Sequence, residues 1–244
     1  MNNSVGNTAR LIGAGLRALL VLTVICGVLY PLAVTGIAQA LFNDKANGSE
    51  IKDKSGRVVG SSLIGQTYNL PEQAPSDSTA GDDPEEAAKP DLKWFQPRPS
   101  NGLGSNSVNT QYSLLLSGAT NRSADNGAVG GQCTEDAGEG TLCAQVAAAK
   151  EAVIADNSTA SYQVKPEDVP ADAVTSSGSG LDPDISPAYA ELQIHRVAEQ
   201  NALDVKRVEK LVADHTTGRT LGFMGEPRVN VLELNTALKA VTES

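Results

Sequence analysis

Hydrophobic residues are distributed very unevenly along the chain. Ala18 to Phe42 reads ALLVLTVICGVLYPLAVTGIAQALF, 25 residues without a charge. As a helix this run covers roughly 37 Å, more than the ~30 Å of hydrocarbon in a bilayer. Gly27 and Pro31 break helices in water, but membrane helices tolerate both. The pattern predicts one transmembrane helix over 18–42, with Leu19, Leu22, Ile25, Leu29, Pro31 and Ile37 among its anchoring residues. It is too long and too free of charge for the core helix of a soluble domain. A cleaved signal peptide is the other reading. Arg10 and Arg17 form a basic start and Ala38-Gln39-Ala40 a small-x-small site, although Leu41 and Phe42 prolong the apolar run past the cut.

Beyond the anchor the periods shorten. IKDKSGRVVGSSLIGQ (51–66) predicts two short strands around a turn at Lys54-Ser55-Gly56. Residues 70–91 are rich in Pro, Ala and acid and predict a solvated, mobile insertion. Trp94-Phe95 then returns the chain to a core. Residues 102–131 are rich in Gly, Ser and Asn around the apolar patch Tyr112–Leu116, with a Gly-rich loop insertion over 122–141. Helical spacing resumes at Leu142–Asp156. Val169–Ser176 suggests an edge strand. Ser186-Pro187 has the form of an N-cap and first helical residue, opening a helix through Gln200. Asp204–His215 predicts another, with Val205, Val208, Leu211 and Val212 on one face. Val229–Leu234 reads as a strand entering a short helix, Asn235–Val241. The fold class is α+β: a single N-terminal transmembrane helix followed by one mixed α/β soluble domain with long irregular loops. Residues 1–17 form an N-terminal tail, whose first nine residues are polar and unstructured, and 43–244 form the soluble domain.

Charge orients this arrangement. The whole chain has 19 basic and 29 acidic residues, and no acid precedes Phe42. Setting aside Arg10 and Arg17 leaves 17 basic against 29 acidic residues, so the soluble part carries −12. That excludes a nucleic-acid binder and disfavours an anionic lipid surface. Arg17 abuts the apolar run and favours a cytoplasmic N-terminus, which places the domain outside the plasma membrane. Cys133 and Cys143 enclose nine residues of a Gly- and acid-rich stretch. In an external domain this pair is a disulfide candidate; two free thiols is the alternative. Cys26 lies within the apolar run. A zinc site is poorly supported, because CxxC spacing is missing and His195 and His215 belong to distant segments.

Catalytic motifs fail on context. Asp53-Lys54-Ser55-Gly56 is close to the phosphorylated aspartate motif of P-type pumps, but no buried strand precedes it and a hairpin turn fits better. Ser179, Asp182 and His215 do not make a triad, because SGSGLD is not a nucleophile elbow. No Walker sequence accompanies the glycines. His195, mid-helix beside Arg196, reads as a packed or solvent-facing residue. The sequence offers no catalytic residue and no metal ligands.

GSSLIGQ (60–66), WFQPRPS (94–100), VPADAVTSSGSGLDPDISPAYAELQIHRVA (169–198) and HTTGRTLGFMGEPRVNVLELNTAL (215–238) together closely resemble the C subunit of the Kdp-type potassium-transporting ATPase. The resemblance covers nearly the whole chain in order. Residues 70–91 and the Cys133–Cys143 segment depart from it as insertions, as do Ser117–Asn121 and Asp184 (usually histidine) by substitution. It implies an accessory, non-catalytic subunit of an ATP-driven, high-affinity potassium uptake complex. The implied partners are a channel-like potassium-translocating subunit, an ATP-hydrolysing P-type subunit and a small single-helix subunit. It further implies a catalytic chaperone that raises the ATP affinity of the hydrolysing subunit, with Gln193 the residue matching the family's nucleotide effect. ATP and K+ are then handled by the complex, with no cofactor of the chain's own. A domain outside the membrane cannot reach cytosolic ATP, so any such effect is indirect. The alternative is an exported binding domain, released after Ala40, without a pump partner.

Overall fold

A computed structural model describes residues 4–70, 89–99, 133 and 141–243. The chain divides into two compact units, Met1–Ser49 and Glu50–Ser244.

The first unit is helical. Helix α1 (Ser4–Val24) leads through a π-turn (Ile25–Leu29) into α2 (Tyr30–Leu41), and a single turn, α3 (Asn43–Ala46), follows. Pro31 explains the π-turn. Its nitrogen has no hydrogen to give the carbonyl of Gly27, and its ring crowds that group. Widening the preceding turn lets the Tyr30 N–H reach Ile25 O, five residues back, and the helix continues. Gly6–Leu41 is the one described segment long and apolar enough to cross a membrane, and none of it is buried. Leu19, Leu22, Ile25, Leu29 and Ile37 are 45–61% exposed, and Pro31 is exposed too. The expectation of an unstructured start over residues 1–9 is corrected for residues 4–9: the helix begins at Ser4 and runs through Gly13 and Gly15 into the apolar stretch. The helix also runs unbroken through Ala38-Gln39-Ala40.

The second unit opens with a hairpin, β1 (Glu50–Lys52) and β2 (Val58–Ser61), paired antiparallel with Ile51 opposite Gly60. As the sequence suggests, residues 53–57 are its turn. Asp53 Oδ1 accepts from the N–H groups of Ser55 and Arg57 (2.9 and 3.0 Å) and from the Ser55 hydroxyl. Gly56 takes φ +79°, which glycine adopts without strain. Gly60 is required for a different reason: a Cβ there would lie 2.6 Å from Leu232 Cδ2 and 2.2 Å from Gln66 Nε2.

The remaining elements are α4 (Leu142–Asn157), α5 (Ala171–Val174), β3 (Asp184–Ile185), α6 (Pro187–Gln200), α7 (Val205–Asp214), β4 (Thr216–Thr217), β5 (Arg228–Asn230) and α8 (Val231–Thr242). Strands β3, β5 and β4 form a small antiparallel sheet in that order. Ser186 caps α6 by accepting from Tyr189 N (3.1 Å), as the sequence predicts, and Asp204, expected as the first helical residue, caps α7 instead. Val208 and Val212 of α7 are buried against Tyr189, Ile194 and Val197 of α6 and Leu234 and Leu238 of α8 in one apolar cluster.

Two expectations are corrected. Val169–Ser176 is not a strand: Pro170 leads into the short helix α5, whose Asp172 carboxylate accepts from Ser186 N and Oγ at 2.7 and 2.8 Å. Strand β5 ends at Asn230, because the Asn230 side chain accepts from Glu233 N (3.1 Å) and starts α8 four residues earlier than expected. The described residues on either side of 71–88 meet at one place, where Asn69 bridges Pro90 and Leu70 N donates to Lys89 O. The patch Tyr112–Leu116 and most of the insertions over 70–91 and 122–141 lie outside the described residues.

Candidate functional site

Helix α6 turns an apolar face inward, and two polar residues stand on it: Gln193 is fully buried and Arg196 is 2% exposed. Three residues apart on a helix, they lie side by side. Gln193 Oε1 accepts from Gln96 N (2.6 Å) and from Arg196 Nη2 (2.7 Å), while its Nε2 donates to Gln96 O (3.2 Å). Arg196 Nε donates to Asn157 Oδ1 at the end of α4 (2.9 Å), and Nη1 donates to the carbonyls of Leu92 and Trp94.

From α8 a second amide repeats the device. Asn235 Oδ1 accepts from Phe95 N and Nδ2 donates to Phe95 O, both at 2.9 Å. Phe95 is fully buried, and Trp94 packs partly buried against the same core. Two helix-borne amides thus hold consecutive residues by both main-chain groups, as a neighbouring strand would. Among the described residues no strand lies beside the segment, and these partners satisfy its buried backbone. Arg98, two residues on, pairs with Asp182 at 3.0 Å. Leu92–Arg98 is therefore fastened from α6, α8 and the loop before β3, with Asn157 of α4 holding Arg196 in place.

Burial sets the electrostatics. It lowers the Arg196 guanidinium to about 10, with nearby Tyr189 and Asp156 opposing. It raises the Asp156 carboxyl, which Arg196 partly counters. It raises Asp184 as well, although Arg228 stands 2.9 Å away and Asn230 donates to the carboxylate. Asp53 moves the other way, down to about 2, chiefly through the Ser55 hydroxyl.

The other sequence candidates fall into structural places. Cys133 and Cys143 are joined by a disulfide, with Cα atoms 4.7 Å apart. Ser179 Oγ accepts from Leu181 N, Asp182 holds Arg98, and His215 Nδ1 bonds Leu211 O at the end of α7; none of these bonds joins the three. The His195 ring stacks on Tyr162 with centroids 4.0 Å apart. Among the described residues, no three His, Cys, Asp or Glu side chains gather to hold a metal. A cleft of about 340 Å³ lies between the β1–β2 turn and α8, with Lys54, Arg57 and Lys239 among its lining. Each of these cations is engaged: Arg57 with Asp53, Lys239 with Glu243, and Lys54 with Ala240 O.

Sequence reasoning singled out Gln193 but missed Asn157, Arg196 and Asn235. A signal was present. Asn235 interrupts the apolar face of Val231, Leu234 and Leu238, and Arg196 interrupts that of Tyr189, Leu192 and Val197. A polar residue inside an apolar stripe marks a buried hydrogen-bond duty.

Comparison with known proteins fits this picture. The family model "K+-transporting ATPase, c chain" (KdpC) matches residues 12–240, helix and soluble unit together. The potassium-transporting ATPase KdpC subunit of Streptomyces avermitilis is 67% identical over 239 residues, covering 98% of this chain and 97% of its own. That of Streptomyces coelicolor is 62% identical over 238 residues, covering 98% and 96%. That of Mycobacterium tuberculosis is 40% identical over 223 residues, covering 91% and 94%. The chain therefore belongs to the KdpC family, the c chains of K+-transporting ATPases.

Proposed function

We propose that the chain is an accessory subunit of an ATP-driven potassium uptake complex, held by one membrane helix with its N-terminus in the cytoplasm and its soluble unit outside. It stabilises the assembly of the potassium-translocating, ATP-hydrolysing and small single-helix subunits. As a catalytic chaperone it raises the ATP affinity of the hydrolysing subunit, while ATP and K+ are bound by its partners. The observation that carries this reading is the family match, which runs through both the apolar helix and the soluble unit. Arg10 and Arg17 ahead of the apolar run, with no acid before Phe42, support the orientation.

The buried Gln193 supports an indirect nucleotide effect. Its amide is committed to Gln96 and Arg196 inside the soluble unit. Its part in ATP affinity is to set the position of the Leu92–Arg98 segment, whose shape the partners sense. The test is Gln193→Ala in the intact complex. The KM for ATP is expected to rise while kcat at saturating ATP is kept. An unchanged KM removes the role, and thermal melts of the same preparation separate it from simple unfolding.

A further inference from the structure

Strands β4 and β5 are connected by an excursion from Gly218 to Pro227 that folds upon itself. Thr220 and Met224 bond through both main-chain groups, at 2.9 and 3.0 Å, and Gly222 N donates to Arg219 O at 3.1 Å. Arg219 and Glu226 close its base with an ion pair of 2.7 Å. The tip is therefore a built turn, yet its large side chains are exposed. Leu221 is 78% exposed, Phe223 71% and Met224 46%. In the second unit, only Leu63 and Leu70 join them as exposed large hydrophobics among the described residues.

Backbone conformation adds a second observation. Leu221 holds φ +55°, the left-handed region that a bulky side chain avoids. Gly or Asn adopts that conformation at lower cost than Leu. Strain kept at an exposed apolar residue is characteristic of binding elements.

Charge decides between two possible coverings. A loop that inserts into anionic lipid carries a collar of free basic residues. Here Arg219 is neutralised by Glu226, and Arg228, at the end of the excursion, by Asp184 at 2.9 Å. The soluble part as a whole carries −12, from 17 basic and 29 acidic residues. A neutral apolar tip on an acidic body suits a protein concavity better than a membrane surface. Phe223 has the properties of its anchor: aromatic, exposed and presented by a rigid turn.

We propose that the 219–226 turn is a docking plug that seats Leu221, Phe223 and Met224 in an uncharged, apolar concavity on the extracytoplasmic face of a membrane-embedded partner subunit. This rests on the accessory-subunit reading above. The experiment expresses the full chain with the other subunits, places the photo-crosslinker p-benzoylphenylalanine at Phe223 or, as a control, at exposed Glu209 on α7, and isolates the complex in mild detergent. A crosslink from position 223 to a partner subunit, with none from 209, is expected. Phe223→Asp is expected to lower partner retention at least threefold without changing the melting temperature of the purified full chain. Full retention by Phe223→Asp, or no crosslink from 223 to any subunit in an assembled complex, overturns the plug. A crosslink from 223 to lipid alone overturns it in favour of bilayer insertion. If the unmodified chain retains no partner, the accessory-subunit reading itself fails, a result distinct from the others.

Discussion

Asn235→Ala is the sharpest test of how the Leu92–Arg98 segment is held. Asn235 is 2% exposed and satisfies both main-chain groups of Phe95 at 2.9 Å. Truncation strands one buried N–H and one buried carbonyl, each costing about 1–3 kcal/mol. Alanine returns about 0.5 kcal/mol through its better helix propensity, and water entering the vacated space offsets part of the rest. A net loss of about 3 kcal/mol is expected, a large share of the ~5–15 kcal/mol that keeps a typical domain folded. Trp94, the single tryptophan, adjoins the clamp and reports unfolding by its emission. With a urea slope of about 2 kcal/mol/M the midpoint of the full chain in detergent falls by ~1.5 M. Asn235→Asp sharpens the test, because it keeps the acceptor for Phe95 N but turns an oxygen towards Phe95 O. It should destabilise at least as much at neutral pH and recover on acidification, as the protonated carboxyl becomes a donor. A midpoint shift below ~0.3 M for Asn235→Ala would refute the clamp.

Further outcomes follow from other groups. Arg196→Ala removes the donor for Asn157, Leu92, Trp94 and Gln193 together. It should cost about 4 kcal/mol or more in the same urea titration, with Arg196→Lys intermediate because an ammonium lacks the planar fork. Asp53 has a carboxyl lowered from 3.8 to about 2, so its contribution to the hairpin is complete above pH 3.8 and is lost as pH falls towards 2. The Ser55 and Arg57 amide resonances should therefore titrate near pH 2 and stop doing so in Asp53→Asn. Reduction of Cys133–Cys143, ten apart in sequence, should lower stability by about 3 kcal/mol, read as a drop in melting temperature that Cys133→Ser reproduces without reductant.

Local signals carried most of the fold. The uncharged run, the Ser186-Pro187 start and the Val205–Val212 face each encode an element in consecutive residues, and each is where the sequence places it. Boundaries decided by a side chain's partner were harder. Asn230 ends β5 by capping α8, a choice that VNVLEL does not distinguish from further strand. Val169–Ser176 has strand-like composition, yet Pro170 and the Asp172–Ser186 bonds make a helical turn. The site was less legible still. Gln193 was reached through family resemblance, whereas its duty depends on Gln96, 97 positions away, and that of Asn235 on Phe95, 140 away. Contacts at such separations leave in the sequence only the polar gap in an apolar stripe. The turn at 219–226 shows the converse: its apolar residues look like core and stand in solvent.

Sidedness tests the account most directly, since the indirect nucleotide effect and the docking plug both need the soluble unit outside. Lys206, exposed on α7, is replaced by cysteine in a Cys26→Ser background, and intact cells are treated with a maleimide that cannot cross membranes. The account predicts labelling of Lys206→Cys in intact cells to the same extent as after lysis. Labelling only after lysis would contradict it.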